Sequence, residues 1–126
     1  MNHMEEVKAL RARVDKHFNC AQSLLVPFAE ELKLTKDQAE AMGAFLGAGM
    51  MHGGTCGALS STLMILGAKG YDKQETEKLI ARFQEEHTKT ACEALLANAE
   101  ARGIARKTNC DGLVFELAEL LDRILE

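Results

Sequence analysis

The chain has 126 residues, a formal net charge of −4, 47 % hydrophobic and 27 % charged residues. These values suit one folded domain that buries its own core, and the acidic balance excludes a ligand held chiefly through a phosphate backbone. Aromatics are scarce, with no Trp and one Tyr, and there is one Pro, while Ala, Leu, Glu and Lys abound, which favours helix.

Met4 to Phe18 carries Val7, Leu10, Val14 and Phe18 at helical spacing, with Glu5 and Glu6 early. Cys20 to Leu32 follows, with Leu24, Leu25, Phe28 and Leu32 on one stripe, and Pro27 kinks it or limits its first half. Thr35 caps a third helix with Gln38 in the capping-box position, and Ala39, Met42, Phe45 and Leu46 form its apolar side. Gly43, Gly47, Gly49, Gly53 and Gly54 then fray it into a loop holding Met50, Met51 and His52. Thr55 restarts helix, with Leu59, Leu63, Ile65 and Leu66, and Gly67 to Gly70 ends it. Asp72 and Glu75 read as another capping box, before an apolar face of Leu79, Ile80 and Phe83. Ala91 to Ala101 is an Ala-rich helix stopped by Gly103. Asn109 opens the last helix, whose stripe of Leu113, Val114, Leu117, Leu120, Leu121, Ile124 and Leu125 is wide enough to bury.

No segment sustains a two-residue alternation. The expectation is an all-α, compact single-domain bundle over residues 1–126, with about six or seven short helices. The wide face of the last helix suits burial within the chain or a homodimer interface equally well. Leu63 to Leu66, the longest apolar stretch, is far too short for a membrane span. Met1 to Arg13 reads as a charged amphipathic helix without the apolar stretch of an export signal. A cytoplasmic protein is expected, where thiols stay reduced and serve metal binding or redox catalysis. The basic run Arg102 to Lys107 reads as a solvated helix end.

Four cysteines stand where helices begin: Asn19-Cys20-Ala21-Gln22, Thr55-Cys56-Gly57-Ala58, Thr90-Ala91-Cys92-Glu93 and Asn109-Cys110-Asp111-Gly112. Asn and Thr are favoured N-caps. A cysteine in the first turn meets unpaired N–H groups and the positive end of the helix dipole, both of which favour thiolate. There is no C-x-x-C, which counts against a thioredoxin-like site and a zinc ribbon. Any shared site must therefore be assembled by the tertiary fold.

Four converging thiolates complete the ligand set of an iron–sulfur cluster or a structural zinc ion. They also suit a metal-free thiol–disulfide pair, with Cys56 the preferred nucleophile and Cys20 its companion. His17, His52 and His87 each closely precede a cysteine, and His52, in the loop beside Cys56, is the best of them as a further metal ligand. Met50 and Met51 read as core packing in preference to soft metal ligands. The expected partner is a redox protein or a small thiol or disulfide.

The order Cys20, Gly-Gly-Thr-Cys56-Gly57-Ala58, Cys92, Cys110 resembles the C_GCAxxG_C_C family of redox-active proteins, over nearly the whole chain. The resemblance implies a redox role centred on the four cysteines. One position departs from the family pattern: Ser61 stands three residues after Ala58, where the pattern has glycine. If that glycine served backbone contact with a cofactor, Ser61 would weaken the cofactor reading.

Overall fold

The computed structural model describes residues 3–126; Met1 and Asn2, the start of the Met1–Arg13 reading, lie outside the described residues. Seven α-helices follow in order: α1 (Met4–Ala12), α2 (Cys20–Leu25), α3 (Lys36–Gly43), α4 (Gly57–Ala68), α5 (Lys73–His87), α6 (Cys92–Ala101) and α7 (Arg106–Ile124). A wide turn, Gly49–Gly53, lies between α3 and α4. Among the described residues there is no strand, only an isolated antiparallel bridge between Thr55 and Ala91. The all-α expectation is met.

The core is built from side chains that the sequence stripes point inward. Leu24, Leu25 and Phe28 are buried with Leu59, Ile65 and Leu66 of α4 and with Val114, Leu117 and Leu121 of α7. Burying each such side chain contributes roughly 1.5–3 kcal/mol. The inner stripe of α7 is thus occupied within the chain. α2 makes its broadest contact with α4, and small residues permit it: a Cβ on Gly57 would lie 3.3 Å from the Ala21 backbone nitrogen. Ser61 is fully buried at this crossing, and its hydroxyl donates to the Ala21 carbonyl at 3.2 Å. Ser61 therefore serves helix packing.

α1 is fixed on α7 at both ends. The His3 backbone N–H donates to Asp122 Oδ2 at 2.8 Å, and the buried His3 ring pairs with Asp122 and Glu31 while stacking on Phe28 at 3.8 Å. At the other end, Arg11 Nε donates to Asp111 Oδ1 at 2.7 Å and Nη1 to the Phe18 carbonyl at 2.9 Å. That clamp brings Arg11 to the cysteines.

Several local expectations are corrected. α1 ends at Ala12, so Val14 is fully exposed, although Phe18 is buried. Pro27 limits the second helix: α2 stops at Leu25, and turns closed by i→i−3 bonds carry the chain to Lys33. The Thr35–Gln38 capping box forms as expected, yet Met42 and Phe45 are exposed. Met50 and Met51 are also exposed and so are not core. Their backbone explains it. Ala48, Gly49, Met50, Met51 and Gly53 all take left-handed φ, between 54° and 77°, which turns these side chains away from the core. Asp72 caps α5 through the Gln74 N–H, while Glu75 pairs with Lys78 instead of closing a box. Finally, α7 begins at Arg106, with Ala105 as its cap, so Asn109 does not open it.

Candidate four-cysteine redox site

Three of the four cysteines stand at helix starts. Cys20 is the first residue of α2, behind an Asn19 N-cap whose side chain accepts from the Gln22 N–H at 2.7 Å. Cys56 is itself the N-cap residue of α4, and Cys92 is the first residue of α6. Neither Thr55 nor Thr90 caps by its side chain. Both instead enter a short two-stranded strap: the Cys56 N–H donates to the Thr90 carbonyl at 2.8 Å, and the Cys92 N–H to the Gly54 carbonyl at 2.6 Å. That strap sets Cys56 and Cys92 side by side. Cys110 corrects the expectation, since it lies a full turn inside α7.

The glycine-rich approach makes this strap possible. A Cβ on Gly49 would lie 2.3 Å from the Gly54 carbonyl oxygen, and Gly49 has φ +61°. The Gly54 N–H closes back onto the Gly49 carbonyl at 2.8 Å. Only glycine allows this approach. Three non-glycine residues of this turn held at positive φ, Ala48, Met50 and Met51, store strain of the sort that collects at functional sites.

The tertiary fold brings all four thiols, distant in sequence, within electrostatic reach of one another. Cys20 faces Cys110 and feels Cys56, and Cys56 feels both Cys92 and Cys110. Cys92 feels Cys110 and Arg106. All four are free thiols; Cys56 is buried and the others are partly buried. Among the described residues, no three of the sulfurs all lie within 4.8 Å of one another.

Their titration does not follow the helix-start rule. The hydrogen bond to Cys110 and then burial push the Cys20 thiol far above the ordinary range. Burial raises Cys56 despite N–H groups from Leu59 and Ala58, and burial raises Cys92 as well. Desolvation outweighs the dipole here. Cys110, the one farthest inside its helix, is lowered to about 6. The Cys20 thiol donates to it, and Arg11, Arg106 and the Asn109 side chain favour the anion against burial. The Asn109 amide nitrogen is buried with no hydrogen-bond partner, and the Asn109 side chain is close enough to act on the Cys110 thiol.

Arg11, Arg106 and Asn109 are the residues that sequence reasoning missed. Arg11 gave no signal, since its partner Asp111 is 100 residues away. Arg106 belongs to the run read as a solvated helix end. The side chain of Asn109 was read as a cap. The histidines fall elsewhere. His52 is exposed in the left-handed turn, and the structure does not bring it among the groups acting on the thiols. His87 Nε2 pairs with Glu116 at 2.9 Å, with Glu86 nearby, tying α5 to α7. His17 is exposed and lines a cavity beside Cys20 and Cys110.

Fold and site together define a small all-α protein organised around a cluster of free cysteines. A model of the family described as "Putative redox-active protein (C_GCAxxG_C_C)" matches residues 18–124, and the chain belongs to that family. The match bears out the resemblance read from the cysteine order and supports a redox role carried by cysteines. No curated protein and no solved structure matches the chain. No helix among the described residues is long and apolar enough to cross a membrane.

Proposed function

We propose that the protein is an electron carrier whose Cys20, Cys56, Cys92 and Cys110 hold an iron–sulfur cluster. The observation that carries this reading is that four free thiols, from four different helix-start or helix positions, form one electrostatically linked group. The surroundings suit such a group. Four thiolates around iron leave net negative charge, which the starts of α4 and α6 and the guanidiniums of Arg11 and Arg106 offset. The orphaned Asn109 amide is available as an N–H···S donor, and such donors, with burial, tune a cluster's potential.

His52 is not required as a ligand, because the four thiols already complete the set. A cytoplasmic setting belongs to the same proposal, since reduced thiols are the form that takes up iron.

A second reading rests on one specific pair. A hydrogen bond links Cys20 and Cys110, raising the first thiol and lowering the second, an arrangement that suits a resolving and an attacking thiol. In a metal-free protein Cys110 is then the attacking group, in place of the sequence-based choice of Cys56. Anaerobic reconstitution with iron and sulfide separates the two. The cluster reading expects every Cys→Ser variant to lose most bound iron. Wild-type protein that takes up no iron, yet loses two thiols reversibly on oxidation, supports the pair instead.

A further inference from the structure

A cavity of about 380 Å³ opens directly on Cys20 and Cys110, within the size range of small-molecule sites. Its wall also includes Arg11, Arg13, His17, Arg106 and Lys107, together with Leu10, Phe18 and Ala48, and no carboxylate lines it. In a chain of net charge −4, a wall with four permanent cations and no carboxylate is a marked local reversal.

The charges that neighbour the wall do not cancel it. Arg13 pairs with Asp15, and the Arg13 guanidinium also lies 5.3 Å from the centre of the Phe18 ring. Arg11 and Lys107 share the single carboxylate of Asp111, at 2.7 and 3.0 Å. Burial works against that carboxylate, yet its two cationic partners hold it below the ordinary range, so it stays charged. Arg106 pairs with no carboxylate among the described residues. One positive charge thus remains from the Arg11–Lys107–Asp111 group and one from Arg106, and the Cys110 anion offsets one of the two, so the wall keeps a net positive charge. The side chain of Arg11 is only 7 % exposed and is fixed by Asp111 and the Phe18 carbonyl, so that cation is in place before anything binds. Preorganised charge of this kind favours affinity because little is lost in ordering it.

We infer that this cavity binds a small organic anion, with its acid group at Arg106 and Arg11 and its apolar body against Leu10, Phe18 and Ala48. Such a molecule is brought directly against two of the four redox sulfurs. The inference is for the metal-free protein and does not depend on the cluster reading; a cluster's negative charge would draw on the same two guanidiniums and weaken the binding.

Nuclear magnetic resonance titration of isotopically labelled protein tests it, run on reduced metal-free protein and on anaerobically reconstituted protein. The probes are 3-phenylpropionate, its uncharged amide 3-phenylpropionamide, and sulfate as a bare oxyanion. The expected result is saturable shifts at Leu10, Phe18, Ala48 and Arg106 with the carboxylate, at least about tenfold weaker binding of the amide, and R106E at least about tenfold weaker for the carboxylate. Sulfate should compete only weakly, lacking an apolar body. Arg106 is the exposed first residue of α7, where an acidic side chain suits the helix dipole, so R106E should fold. R106Q, with a smaller expected loss, serves if it does not. Equal binding of carboxylate and amide, shifts elsewhere, sulfate as tight as the carboxylate, or unchanged affinity in both Arg106 variants would overturn the inference. Failure of iron uptake would leave the metal-free titration intact, so the two proposals fail separately.

Discussion

The two halves of the cysteine site are held by different physics. Cys56 and Cys92 are positioned by backbone: a strap of two hydrogen bonds, a left-handed glycine-rich turn and two helix starts. Cys20 and Cys110 are positioned by side chains: the Asn19 capping box, the Arg11–Asp111 clamp and Asn109. The first half is compact and its thiols stay protonated in the absence of metal. The second opens on a basic cavity and contains the one lowered thiol. The contrast teaches that a helix start by itself does not make a thiolate. Cys20, Cys56 and Cys92 all have that position and all are raised, Cys20 chiefly by its hydrogen bond to Cys110 and then by burial, Cys56 and Cys92 chiefly by burial. Cys110 lacks it and is lowered, because a thiol donor and two guanidiniums act on it together.

Cysteine replacement is the most drastic way to break this comparison. If both halves hold one cluster, C56S and C110S should each lose most iron and acid-labile sulfide after anaerobic reconstitution. A C110S protein with full iron would mean that the cavity-side half is not part of the centre.

Alkylation of metal-free reduced protein separates the halves next. The anion of Cys110 is the reactive form, so its fraction rises as pH rises through about 6 and is nearly complete at pH 7. Labelling followed by peptide mass mapping should find Cys110 modified at least about tenfold faster than Cys56 at pH 7. C20A removes the thiol donor and should move the Cys110 midpoint upward. An unmoved midpoint would assign the lowering to the arginines alone.

The backbone-held half is probed by G49A. The added Cβ would meet the Gly54 carbonyl at 2.3 Å on a left-handed residue, which should cost about 1–3 kcal/mol. Urea unfolding measures the loss, and Cys56 and Cys92 should become more accessible to thiol reagents while Cys110 changes little. The smallest effect is expected for S61A, which deletes the buried hydrogen bond to the Ala21 carbonyl between the halves, at about 1 kcal/mol. Its iron content should match wild type, in line with a packing role for that hydroxyl.

Much of the fold was legible because local signals agreed with the tertiary outcome. The stripes of α4 and α7, the Thr35–Gln38 box and the Gly103 stop needed no long-range information. Val14, Met42, Phe45 and the Met50–Met51 pair were misplaced for a common reason. Each sits where the helix ends or the backbone turns left-handed, and helical periodicity no longer says which way a side chain points. Pro27 was read correctly as a limit on α2. In the site, the cysteine order was legible and carried the family resemblance. Arg11 and Arg106 were not, since their importance comes from contacts across the fold. The start of α7 was misread because Asn109 looks like a cap, whereas its side chain acts on the Cys110 thiol.

The most direct test of the central claim is the visible absorption spectrum of protein purified and kept without oxygen, before and after reduction with dithionite. The account predicts a broad brown absorption that bleaches on reduction. A colourless protein that remains colourless after reconstitution with iron and sulfide would contradict it and leave the Cys20–Cys110 thiol pair as the redox element.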